Sequence, residues 1–250
     1  MKRFLLALLA SAISLGAAQR LLIVADEIPA METLSRELGA RTKAESKIVT
    51  QSELPASLEA FDALLVYIHK DIHDATEKAI LEYLRGGRKV ILLHHSISSG
   101  KRKNKEWLPA FAITLPLGKL EEGGYGYYDP TTFELVNLAP GHPVTTAGVR
   151  YDGKTLFAAN GAGPSREMPS FTVPGSEVYL NHIHNAPRTK LLGFKWTDPR
   201  NGKVYQQETA GWVMKVGKGT AFFFMAGHEE ADFNIEPFAQ ILANAVTYKD

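Results

Sequence analysis

Lys89-Val90-Ile91-Leu92-Leu93, running straight into His94-His95-Ser96, is the stretch from which the fold of this chain is read. Its apolar residues are continuous rather than alternating. That pattern marks a strand covered on both faces, as in a parallel sheet. The same pattern occurs upstream in Arg20-Leu21-Leu22-Ile23-Val24-Ala25-Asp26 and Asp62-Ala63-Leu64-Leu65-Val66-Tyr67-Ile68, and downstream from Ala221 to Met225. Asp26 and Pro29 close the first run, and Ala30 to Leu38 has helical spacing up to Gly39. Ile72, Ala79, Ile80, Tyr83 and Leu84 also recur at helical spacing, with Asp74 and Glu77 placed to cap that helix and Gly86-Gly87 to stop it. Strands alternating with helices predict an α/β fold: a parallel sheet with helices on both faces.

The middle of the chain has a different texture. Gly118 to Pro187 is rich in Gly, Pro, Tyr and Asn and has no long helical period. Phe133–Leu138, Glu177–Leu180 and Leu191–Trp196 are expected as short strands of an irregular, β-rich extension. Gly217-Lys218-Gly219 is expected to turn a hairpin between Trp212–Val216 and Thr220–Met225. A last helix, Glu236–Tyr248, would bury Phe238, Ile241, Leu242, Ala245 and Val246. No repeat, low-complexity tract or linker divides residues 19–250, so a single domain is expected.

Met1–Ala18 has the pattern of an export leader. Lys2 and Arg3 precede an apolar run from Phe4 to Leu15, and Gly16-Ala17-Ala18 supplies small residues before Gln19. The run is shorter than the roughly 20 residues needed to span a bilayer. Cleavage after Ala18 would leave 232 residues with 26 basic and 27 acidic side chains, net −1, in a periplasmic or secreted protein. A near-neutral chain whose longest basic run is Lys101-Arg102-Lys103 gives no electrostatic case for nucleic acid. After leader removal nothing in the sequence calls for a membrane partner. The chain has no cysteine, which excludes disulfides, thiolate nucleophiles and Cys-ligated zinc.

The eight histidines are the main chemical signal. Ligands of an open α/β sheet bind beyond the carboxyl ends of its strands. His69 and His73 follow the second strand, His94-His95-Ser96 the third, Gly227-His228-Glu229-Glu230 the last, and His182 and His184 the Glu177–Leu180 segment; His142 lies in a Gly141-His142-Pro143 turn. Histidine is both the usual proton carrier near neutral pH and the commonest metal ligand. We expect His95, His228 and Glu229 to carry acid–base chemistry. His182-x-His184, whose spacing puts both imidazoles on one face of a strand, would join His142 in holding a divalent ion such as Zn²⁺. His94, Ser96, Glu177, Tyr125 and Tyr127 are expected to contact substrate. The tyrosines belong to the segment Gly123–Asp129, whose rings could stack on sugar faces. Ser96 follows a buried strand as a serine nucleophile would, but no G-x-S-x-G elbow surrounds it. His69 and His73 share a helix face only if the helix begins before them.

Several of these residues also carry a family resemblance. Gly217–Glu229, followed by Pro237-Phe238 and Leu242-Ala243-Asn244-Ala245, resembles the C-terminal signature of ThuA-like (trehalose-utilisation) domains: a GKG hairpin, a strand, a GH-containing loop and a final helix. Val90–Ser96 resembles the family's central strand ending in histidine, Gly141–Thr145 its HPIT-like turn, and Glu177-Val178-Tyr179 its Asp-Glu-x-Tyr segment, with Ser176 where the Asp would stand. The similarity runs from about Leu21 to Tyr248. It implies a flavodoxin-like fold of the class I glutamine-amidotransferase type. The amidotransferase cysteine is replaced by the His94-His95-Ser96 region, so glutaminase chemistry is not implied. It also implies a carbohydrate partner: an enzyme acting on a sugar or 3-keto glycoside as lyase, hydrolase or isomerase, or else a non-catalytic carbohydrate-binding module of a sugar-utilisation pathway.

Overall fold

The computed structural model describes residues 18–161 and 163–249, so all of the expected leader except its last residue lies outside the described part. In chain order the elements are β1 (Arg20–Ala25), α1 (Ile28–Thr42), β2 (Glu45–Val49), β3 (Ala63–Tyr67), α2 (Asp74–Arg85), β4 (Lys89–Leu93), α3 (Trp107–Ala110), β5 (Ile113–Thr114), β6 (Gly126–Asn137), α4 (Pro143–Thr146), β7 (Gly153–Phe157), β8 (Arg166–Leu180), β9 (Ile183–His184), β10 (Thr189–Thr197), β11 (Val204–Val216), β12 (Gly219–Phe224) and α5 (Glu236–Thr247). Ten strands form one sheet in the order β2-β1-β3-β4-β12-β11-β10-β6-β8-β7, and β5 pairs with β9 separately. The four apolar runs expected at the centre are β1, β3, β4 and β12, and all of their mutual pairings are parallel. β1 and β3 lead through α1 and α2 to strands on opposite sides, β2 and β4. Right-handed crossovers running in opposite directions put these helices on opposite faces. The apolar runs are therefore covered twice, and Leu21 to Ala25 are fully buried.

The extension is more regular than expected. β11, β10, β6, β8 and β7 continue the same sheet in antiparallel order, and β6, β8 and β11 have 12, 15 and 13 residues. Their register shifts at Tyr128/Thr131 and Leu192/Phe194 blur the alternation that would have shown long strands in the sequence. Two helix limits also differ from expectation. α1 passes through Gly39 to Thr42 and is closed by Lys43, which adopts φ 63°. α2 starts at Asp74 after His73, so His69 and His73 share no helix face, and its first turn carries no side-chain cap. Glu77 instead accepts hydrogen bonds from Asn104 Nδ2 at 2.9 Å and the Glu106 backbone at 2.9 Å. Gly219 opens β12 directly against the end of α2. A Cβ there would lie 1.9 Å from the Leu84 carbonyl oxygen, so only glycine lets β12 reach its place beside β4. No described helix is long and apolar enough to cross a membrane.

Candidate active and metal centre

The chain order reverses between β1 and β3, which makes the carboxyl edge of these strands the topological switch point. Asp26 and Glu27 leave β1 there, His69 follows β3, His94-His95 follow β4, and His228-Glu229 follow β12. From the antiparallel half, β8 brings Glu177 to the same place. Its Oε2 lies 2.7 Å from His94 Nε2, 3.3 Å from His228 Nδ1 and 3.6 Å from His95 Nε2. His94 Nε2 and His228 Nδ1 are 3.1 Å apart. One ligand atom from each of these four residues falls within 4.8 Å of the other three.

His94 is the pivot of the cluster. Its φ is 40°, rare for a residue with a side chain, and it sits at the turn where strand becomes 3-10 helix. The fully buried ring bonds through Nδ1 to the Met225 carbonyl oxygen, which can only accept, so Nδ1 carries hydrogen. A neutral ring then turns the Nε2 lone pair toward the Glu177 carboxylate at 2.7 Å. A second proton on the ring, or a cation shared by the two groups, removes that repulsion. The donor set suits a divalent ion of the zinc class. Adjacent ligand atoms of a tetrahedral zinc site are about 3.3 Å apart, given bonds near 2 Å, and three of the contacts here are 3.1, 3.3 and 3.6 Å. The outer contacts fit as well. His228 Nε2 faces Glu229 at 3.3 Å and Asp129 at 3.7 Å, and His94 Nδ1 is held by a carbonyl; such partners orient metal-binding imidazoles.

Burial acts against the Glu177 carboxylate. Even so, hydrogen bonds from His228 and His94, together with the His94 charge, hold it well below the usual carboxylate range. Burial likewise opposes charge on His228, but the hydrogen bond and charge of Glu177, with Asp129 and Glu229, raise its pKa. Burial first, then the neighbouring His94 and His69, push His95 down to about 2, so this ring is neutral.

Several residues position the centre. The Asp232 carboxylate, almost fully buried, accepts from the backbone of Gly227 at 2.9 Å and His228 at 3.0 Å and from the Ser176 hydroxyl at 2.6 Å. Ser176 thereby ties the strand carrying Glu177 to the loop carrying His228. Tyr67 donates to the His228 carbonyl at 2.9 Å. Buried Lys101 donates to the consecutive carbonyls of Ile68, His69 and Lys70 at 2.7, 2.9 and 2.9 Å, fixing the loop on which His69 stacks 3.8 Å over His95. Sequence reasoning missed Asp232, Tyr67 and Lys101 as supports, because none belongs to a local pattern.

The structure separates the expected residues into groups. His95, His228, Glu177, Tyr125 and Tyr127 line a cavity of about 390 Å³. Glu229 lines a neighbouring cavity of about 540 Å³. His94 lies beneath the cleft rather than facing it. Ser96 is not in the cleft: it is fully buried and its hydroxyl donates to the Val66 carbonyl at 2.6 Å, which also removes it as a nucleophile. The expected metal set of His142, His182 and His184 does not assemble. His142 caps α4, stacks on Tyr248 and borders Thr220, near the amino end of β12, about 13 Å of strand from the site. His182 stacks behind Tyr125, and His184 packs edge-on to Trp212. The ion-binding geometry belongs to His94, His95, Glu177 and His228 instead.

His182 and His184 have a different consequence. Burial lowers each to about 3; next in order come His184 for His182, and Arg188 for His184. Both are neutral when folded but titrate near 6.5 when unfolded. Their contribution to stability is therefore complete above pH 6.5 and declines as pH falls toward 3, by on the order of 2 kcal/mol each at pH 5. His228, with its raised pKa, opposes this trend with a single proton. Urea unfolding is expected to need markedly less denaturant at pH 5 than at pH 7.5, and His182→Phe should flatten the difference. Equal midpoints at the two pH values would contradict the burial argument.

Residues 21–249 match the ThuA family, described as trehalose utilisation. No curated protein matches the chain. Among solved structures, a ThuA-like protein of Bacteroides uniformis is 17% identical, with a TM-score of 0.63 over 96% of this chain and 97% of that one. A ThuA-like protein of Parabacteroides merdae is 14% identical, with a TM-score of 0.66 over 93% of each chain. A β-galactosidase of Rahnella sp. R3 is 11% identical, with a TM-score of 0.53 over 91% of this chain but only 30% of its own. At these identities the structures testify to fold alone. With the match spanning nearly every described residue, the chain belongs to the ThuA family.

Proposed function

We propose that this protein is a sugar-active enzyme whose centre is His94, His95, Glu177 and His228, holding one divalent ion of the zinc class. The observation that carries this reading is the convergence of three imidazoles and one carboxylate under a cleft bordered by Tyr125 and Tyr127. Sugar binding alone has no need of so many groups that titrate or coordinate. The substrate favoured is a sugar or 3-keto glycoside, in line with the family's description. A keto group acidifies the adjacent C–H. Glu229, oriented beside His228 Nε2 at 3.3 Å, is placed to move that proton, and Tyr127, 61% exposed, offers a face for a sugar ring. A divalent ion, when bound, would polarise the carbonyl oxygen. Elimination, hydrolysis or isomerisation could all begin in this way.

The test is metal analysis of purified protein, followed by Co²⁺ titration of metal-stripped protein and a screen of keto-glycosides. We expect one ion per chain, a visible cobalt spectrum and metal-dependent turnover. A protein that binds sugars but turns over none of them would instead be a carbohydrate-binding module. We also propose that residues 1–18 direct export, on the strength of their charged start, short apolar core and small residues. An intact Met1 on the native extracytoplasmic protein would count against it.

A further inference from the structure

The two cavities at the centre meet along His69, His95 and His228, which line both. One half holds Tyr125 and Tyr127 with Asp129 and Glu177. The other holds Asp26, Glu27, Glu229 and Glu230. Six carboxylates thus border one continuous groove, while no Lys or Arg is among the residues lining either half. Two cations close to the tyrosine half are committed elsewhere. Arg102 lies over the Tyr125 ring and bonds the Leu115 carbonyl, and the Lys101 ammonium is taken up by three carbonyls.

The acidic half is built rather than accidental. Glu27 Oε1 lies 2.8 Å from His69 Nδ1, and its Oε2 lies 3.4 Å from the Tyr67 hydroxyl oxygen. Glu230 accepts from the Thr33 hydroxyl at 2.6 Å, and Asp26 accepts from the backbone of His69 and Lys70, each at 2.8 Å. These bonds fix the carboxylates while leaving them at the cavity wall. Their charges add across a confined cleft, where the field is focused. A divalent ion at the centre would offset only two of the six.

We infer that the groove selects an uncharged or ammonium-bearing sugar compound that reaches both sides of His228, and rejects sugar phosphates and uronic acids. Carboxylates accept hydrogen bonds from hydroxyl groups well. A phosphate or carboxylate there meets several like charges and no guanidinium or ammonium. The like-charge juxtaposition costs at least about tenfold in affinity. The substrate is therefore placed before any phosphorylating step: a kinase acting on this sugar would come after the present protein, not before it. This inference rests on the sugar-active reading of the same centre.

The probe is a panel of neutral glycosides, each matched with its 6-phosphate and its uronic acid, measured by saturation-transfer NMR and calorimetry on the full chain with Zn²⁺ present. The expected result is that a neutral member binds and its anionic counterparts bind at least about tenfold more weakly. Combining Glu27→Gln with Glu230→Gln should narrow that gap, with the fold checked by circular dichroism. An anionic member binding as tightly as its neutral parent overturns the inference. So does a double variant that binds as the wild type does, with the same gap. Turnover of a sugar phosphate would remove the charge selection and leave the sugar-active reading standing; a panel in which no member binds removes both.

Discussion

Glu177→Gln is expected to lower divalent-metal affinity at least about a hundredfold and sugar turnover by on the order of a thousandfold, while the fold survives. The substitution keeps the shape and removes the anion. Glu177 faces three imidazoles within 3.6 Å and is the only carboxylate in the four-residue cluster. A glutamine amide would offer its oxygen to one imidazole and turn its two hydrogens toward lone pairs. With the anion gone, the main cause of the raised His228 pKa in the metal-free protein disappears, so His228 should titrate at lower pH in the metal-stripped variant than in the metal-stripped wild type. Metal content, a Co²⁺ spectrum and circular dichroism on one preparation separate these effects. A glutamine variant that holds its ion and its activity would exclude Glu177 from the centre.

Asp232→Ala is expected to destabilise the protein by roughly 3–5 kcal/mol, because each buried donor left without its acceptor costs on the order of 1–3 kcal/mol. Three donors lose their acceptor at once: two backbone N–H groups at Gly227 and His228, and the Ser176 hydroxyl. Gly227 adopts φ 104°, and a Cβ there would come 2.8 Å from the Phe233 ring, so the loop has no spare conformation into which to relax. Ser176→Ala, which removes only one donor, should cost about 1 kcal/mol. Urea denaturation at pH 7.5 measures both. An Asp232→Ala protein as stable as Ser176→Ala would show that the carboxylate is not the anchor.

The parallel half was legible in the sequence because strands covered on both faces leave an unbroken apolar record, as in Leu21–Ala25 and Val90–Leu93. The residues at their carboxyl ends follow from topology alone, which is why His95 and His228 could be paired at a separation of 133 positions in the chain. The antiparallel half was read as shorter and looser than it is, because bulges shift the alternation on which strand recognition depends. His182-x-His184 shows the limit of spacing arguments. Tyr125 and Tyr179 pack against His182 and Trp212 against His184, and neither ring lines the cleft. Ser96 illustrates the same limit: its place after a strand suggested chemistry, and the Val66 carbonyl took its hydroxyl. At Ser176, where the resemblance led to an expected Asp, the carboxylate comes instead from Asp232, 56 residues further along, which accepts from the Ser176 hydroxyl.

β12 lies between β4 and β11, yet it is the last strand made. During synthesis the edge of β4 waits, unpaired, through more than a hundred residues until Gly219–Phe224 emerges. The parallel and antiparallel halves can each begin to form, but only the final strand joins them. A ribosome-bound chain therefore keeps an open, apolar strand edge until late, the kind of surface that holding chaperones capture.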